Sequence, residues 1–195
     1  GRAHPHTIAF TEDAFISRVT ADTLDMPFYG TAHKVAHTWC GGMVRGAAGV
    51  KGGAILSESC ANYAAMMVTE STYGVEEARR VYDFQMDRYL RQRAAMGRDV
   101  PLLEVENQPW IFYGKGAVAL YLLRDYIGAD RVNGALRTYF QKNASGTPPF
   151  PTSLDLYAEL RAVTPDSLQY LLTDLFETVT LWDVRADGAR VEPTG

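Results

Sequence analysis

Apolar residues recur with a helical period over most of this 195-residue chain, and only its first twenty positions alternate as a strand does. The segments Thr7-Ile-Ala-Phe-Thr-Glu12 and Ala14-Phe-Ile-Ser17 predict strand or extended edge within residues 1–20. Beyond them the spacing predicts a helix over 25–40, stopped by Gly41-Gly42, and another over 54–72, ending at Gly74. A charged amphipathic helix is expected from Val75 to Ala95, with a Pro-containing loop after it from Asp99 to Pro109. Residues 110–127 make the most apolar helix, closed by Gly128, and 129–143 make another before the run Pro148-Pro149-Phe150-Pro151. Thr152-Ser-Leu-Asp155 is a capping signature for a helix over 153–162, and Pro165 falls in the first turn of a last helix. The tail from Thr178 reads as β, turns at Ala186-Asp187-Gly188 and stops abruptly, as a piece of a larger protein would. The expected fold is mainly α with a short β segment at the N-terminus.

Composition narrows the function classes. The chain is 47% hydrophobic and 22% charged, the balance of an ordinary globular domain, with a formal net charge of −4. Arg79, Arg80, Arg88, Arg91 and Arg93 are spaced like the solvated face of a helix, so nucleic-acid binding has no support. No apolar run reaches the length of a membrane span. Cys40 and Cys60 show no CxxC or framework spacing, and two free, buried thiols are expected ahead of a disulfide between them. His4 and His6 alternate near the start and read as part of a frayed terminus.

The chemistry concentrates in His33-Lys34-Val35-Ala36-His37, continuing Thr38-Trp39-Cys40-Gly41-Gly42. Histidines four apart on a helix lie one above the other, so both imidazoles can reach one ion. Zinc takes a third protein ligand and keeps a position open in hydrolytic sites. Glu58, on the next long helix and twenty-one positions after His37, can supply it after a loop and a return. A single i,i+4 histidine pair also arises by accident, so the neighbouring motifs have to decide.

These residues, with Tyr113-Gly114-Lys115-Gly116 fifty-five positions after Glu58, resemble the aminopeptidase N family of gluzincins, peptidase family M-one. That family carries His-Glu-x-x-His, a tryptophan and glycine, a glutamate on the following helix, and later Tyr-x-Lys-Gly. The resemblance runs from about residue 7 to residue 182. It implies the helical lobe of a thermolysin-like zinc peptidase domain. In that division residues 1–20 are the edge of the β-rich part, 21–177 the metal-binding lobe, and 178–195 the start of a truncated β segment. The texture of Leu56-Ser-Glu-Ser, Glu106-Asn-Gln-Pro109 and Pro151-Thr-Ser-Leu-Asp-Leu156 is similar to bacterial members whose parent protein carries transmembrane transporter segments. The chain is then expected to be a soluble fragment of a membrane-associated protein.

By that resemblance His33, His37 and Glu58 hold zinc, which would polarise a peptide carbonyl and acidify a water. Tyr113 would donate to the oxyanion opposite the metal. The expected partner is a peptide substrate or a peptide N-terminus.

Two departures qualify this. Lys34 stands where the family has the glutamate that takes a proton from water, and a charged lysine has no acceptor. At roughly 5 Å and an effective dielectric near 20, its repulsion on each unit of metal charge is about 3 kcal/mol. The Gly-x-Met-Glu-Asn strand that grips a substrate's amino group is absent, leaving Glu12 as the candidate in its place. The sequence thus predicts a zinc metallopeptidase fragment with impaired activity. Its alternative is a pseudopeptidase that binds zinc or peptide termini as a sensor or scaffold.

Overall fold

The computed structural model describes residues 2–4, 7–16, 20 and 23–180. Arg2–His4 (β1) and Thr7–Ala9 (β2) pair antiparallel, with His4 opposite Thr7. Ile8 is half-buried between exposed Thr7 and Ala9, the alternation that the sequence showed. His4 therefore lies in a strand rather than a frayed end, and His6 is outside the described residues. The strand expected over Ala14–Ser17 is instead a single helical turn, Asp13–Ile16 (α1), with the Ile16 N–H donating to the Glu12 carbonyl at 3.3 Å. Four residues are too few for periodicity to separate the two states, and Asp13 in the first turn favours the helix.

Helix α2 (Met26–Ala36) starts where Asp25 accepts the Phe28 N–H at 2.9 Å and Pro27 occupies the first turn. It ends four residues before the predicted stop. The Thr38 and Trp39 N–H groups tighten back onto Val35 and Ala36, and Cys40 then bridges Val44. His37 keeps helical dihedrals as the capping residue, so its spacing from His33 survives the early end.

The next helix opens with a π-helical turn, Ile55–Ser59, and continues as α3 (Cys60–Tyr73) to the expected stop at Gly74. Helix α4 (Val75–Met96) comes next. The loop of residues 99–109 holds one unpredicted short 3-10 turn, Leu102–Glu104, with both Leu102 and Val105 in the core. A second π turn, Trp110–Lys115, leads into α5 (Gly116–Ile127), and α6 (Ala129–Asn143) closes the pair. Helix α7 (Ser153–Val163) starts on the predicted capping box, in which the Thr152 N–H donates to Asp155 at 2.6 Å. The last helix is broken up: a 3-10 turn (Asp166–Leu168), then α8 (Gln169–Leu172), then a π turn (Thr173–Glu177). Thr178 is extended, and the β tail expected over 181–195 lies outside the described residues.

Helix α3 is the axis of the lobe, with α2, α4 and α5 packed against it and α6 carrying α7 outside. Its own Ala61, Ala65 and Met66 are fully buried in the core. No helix among the described residues is long and apolar enough to cross a membrane.

The two π turns touch where α3 meets α5, and Gly116 permits the approach. A Cβ built on Gly116 would sit 2.1 Å from Ser59 Oγ and 2.8 Å from Ser59 Cβ. The Ser59 hydroxyl donates to the Phe112 carbonyl at 2.7 Å and is buried, so it has nowhere to turn. Gly116→Ala is expected to lower stability by about 1–3 kcal/mol despite alanine's helix propensity, read as a fall in the urea midpoint. Ser59→Gly in the same chain should restore most of the loss.

Candidate metal centre

The i,i+4 spacing on α2 does what the sequence required. The rings of His33 and His37 meet edge-on with centroids 4.6 Å apart, and their Nε2 atoms lie 3.1 Å from one another. Glu58, on the π turn that opens α3, places Oε2 at 3.3 Å from each of those nitrogens. A π turn inserts one extra residue into a helical turn and so rotates the side chains beyond it, a feature that recurs at functional sites. Here it carries the carboxylate into the face of α2.

The three donor atoms form a triangle with edges of 3.1, 3.3 and 3.3 Å. An ion with bonds of about 2.0–2.1 Å in tetrahedral geometry needs edges near 3.3 Å. The chemistry of the donors agrees. His37 Nδ1 lies 3.0 Å from the Cys40 carbonyl and donates to it, which leaves the Nε2 lone pair facing inward. Glu58 Oε2 is buried without a hydrogen-bond donor. His33, His37 and Glu58 form the one group of metal-ligating side chains found among the described residues.

Charge is distributed accordingly. Burial disfavours the charged Glu58 carboxylate, but its contacts with His33 and His37 outweigh that and hold its pKa well below the carboxylate range. Burial lowers the pKa of His33, whereas contact with Glu58 raises that of His37. In the metal-free chain, NMR titration should therefore show His37 titrating above 6.5 and His33 below it. By linkage, the His37 contribution to stability is fully present below about 6.5 and is lost as pH rises through its folded pKa. Burial of the neutral His33 ring has the opposite sign: its contribution is present above about 6.5 and is lost as pH falls through its folded pKa.

Tyr113 sits on the second π turn, its ring centroid 6.1 Å from that of His33. Its hydroxyl is pushed up to about 12 by burial and by the charge and hydrogen bond of Glu58. Arg88, from α4, lies over the same ring with its guanidinium carbon 4.7 Å from the centroid. The histidine pair, Glu58 and Tyr113, three separated elements of the sequence, thus converge, with Arg88 joining them from α4.

A sequence profile of the peptidase family M1 domain matches residues 19–172. The chain belongs to this family. Among solved structures, the crystal structure of an M1 zinc metallopeptidase from Deinococcus radiodurans resembles it with a TM-score of 0.61 and 22% identity. That likeness covers 86% of this chain but only 38% of the other, and it confirms the mainly helical lobe with its short N-terminal sheet. No match was found among curated proteins.

Lys34 is half-buried and, with His33, Tyr113 and Arg88, lines a cleft of about 560 Å³. Its charge acts on both histidines, pulling their pKa values down. Glu12 is exposed, while its neighbours Phe10 and Asp13 line the cleft. Glu12 itself is not among the residues that line it. Cys40 and Cys60 are free and buried behind the triad, as expected. Trp39 is more than a third exposed and lies on the rim of an apolar groove facing α6.

Sequence reasoning missed a buried relay. Gln85 Nε2 donates to the Tyr29 hydroxyl at 2.9 Å, and that hydroxyl donates to Asn62 Oδ1 at 3.0 Å. Asn62 Nδ2 then donates to the Tyr113 carbonyl at 3.0 Å. The relay ties α2, α3 and α4 to the tyrosine's backbone. Asn62 stands four residues after Glu58 and so shares its helix face, a signal that was present in the spacing.

Proposed function

We propose that this chain is the metal-binding lobe of a zinc peptidase, in which His33, His37 and Glu58 hold the ion and Lys34 leaves hydrolysis impaired. The observation that carries the reading is the triangle of donor atoms, with edges of 3.1 and 3.3 Å and no proton donor at Glu58 Oε2. A zinc ion there would supply a Lewis acid that polarises a peptide carbonyl and acidifies a water.

The chain's own residues would do the rest. Cys40 holds His37 in the tautomer whose Nε2 faces inward. Tyr113, its pKa pushed up to about 12, keeps its proton at neutral pH and can donate it as a hydrogen bond to a carbonyl oxygen gaining negative charge. The Asn62 relay fixes the backbone that carries the phenol. Lys34 points no acceptor at the cleft, so no group at that position takes the proton that hydrolysis must remove. That gap favours the second reading, a non-catalytic module that binds zinc and peptide as a sensor or scaffold.

Metal analysis of the chain after dialysis against zinc should give one ion per chain, and peptide hydrolysis should be weak. A chain that holds no zinc at neutral pH would sink both readings. Rapid hydrolysis by the chain as it stands would sink the impairment.

A further inference from the structure

The cleft beside the triad has the wrong sign for an ammonium. A peptide's free amino terminus needs carboxylates around it, yet two cations, Lys34 and Arg88, line this space. Neither forms an ion pair among the described residues, although eight of the chain's acidic groups do. Asp13 is the carboxylate of the cleft's own lining, exposed and engaged in an interaction of its own. Glu58 is taken up by the two histidines.

We infer that the cleft takes a peptide carrying a carboxylate next to the carbonyl that Tyr113 faces. Arg88 is well placed for this. Its guanidinium carbon lies over the Tyr113 ring, 4.7 Å from the centre, and that contact restricts where the head group can go. A planar guanidinium so held can offer a carboxylate two parallel N–H donors. Lys34 comes directly after the ligand His33 on α2 and lines the same space as a point charge. Half-burial of both cations keeps their attraction for an anion from being fully screened by water. The residue that denies this site its proton acceptor would thus serve in recognition.

This inference rests on the proposed peptide site for the position of the ligand, but not on zinc for the preference. The carboxylate can belong to a peptide C-terminus or to an acidic side chain, and two pairs of probes separate these. Calorimetry would compare acetyl-Ala-Ala with its amide, and acetyl-Ala-Asp-amide with acetyl-Ala-Asn-amide, on the zinc-loaded and zinc-free chain. Ala-Ala-amide, with a free amine and no carboxylate, is the opposing probe. At least one acid should bind about tenfold more tightly than its neutral partner, and Ala-Ala-amide should bind weakest. Arg88→Gln should remove most of that preference, while Arg88→Lys, which keeps the charge, should retain part of it.

The zinc-free arm separates this inference from the function proposed above. A preference that persists without zinc belongs to the cations and supports it, even if the chain proves unable to hold the metal. A preference that vanishes with zinc belongs to the ion and overturns it, as does equal binding of acid and amide. Tighter binding of Ala-Ala-amide overturns it as well, and leaves the zinc site standing.

Discussion

Replacing Lys34 by glutamate is expected to raise peptide hydrolysis by the zinc-loaded chain by about 10²–10⁴, the usual worth of a general base. The side chain at this position comes directly after His33 on α2 and lines the cleft with Tyr113. A carboxylate there can accept a proton and return it to a leaving amine. An ammonium can do neither. The exchange also removes about 3 kcal/mol of repulsion per unit of metal charge at roughly 5 Å, so zinc affinity should rise in the same variant. An aminoacyl-anilide or peptide assay of the two chains at matched zinc content reads the effect. The ratio of the rates carries the result, because both chains share every other wall of the cleft. Equal rates would show that the base at this site is not missing, and that the pairing of Lys34 with impaired chemistry is mistaken.

Glu58→Ala should cost zinc affinity more than about 100-fold, beyond the 10–100-fold that losing a mere supporting partner costs. The carboxylate closes the triangle at 3.3 Å from both imidazoles, and nothing else among the described residues stands ready to replace it. The readout is thermal. Zinc at one hundred times its dissociation constant stabilises a folded chain by about 2.7 kcal/mol, which disappears when binding does. The unaltered chain should therefore melt higher with zinc than with chelator, and the alanine variant should melt alike in both. An undiminished zinc shift in that variant would place the ion elsewhere. Glu58→Gln serves as the control for shape, keeping the volume while giving up the charge.

Much of this architecture was legible before any coordinates. Stops at Gly74 and Gly128, and the box at Thr152 and Asp155, are written in local chemistry that no tertiary contact overrides. The histidine spacing was legible for the same reason, since one helix holds both rings. Glu58 could be offered as a third ligand from its place on the next helix, but Tyr113 could be named only through the family's motif, and each reaches the site on a π turn. Nothing in Ile55-Leu-Ser-Glu-Ser59 or Trp110-Ile-Phe-Tyr-Gly-Lys115 announces an inserted residue. The turn at Asp13–Ile16 misled by its length, and the stop at Ala36 by the distance over which the chain tightens before Gly41. Arg88 read as part of a solvated stripe because its neighbours along the helix are so. Only the cleft shows that this one turns inward.

The contact between the Ser59 side chain and the Gly116 backbone welds two helices one residue past the carboxylate and three past the phenol. Those two groups cannot drift apart without unseating the weld, so this wall behaves as an anvil. The same cleft is lined by Phe10, just after the paired strands β1 and β2, and by Asp13 on the single turn α1, so a ligand held against the anvil meets the N-terminal segment as well.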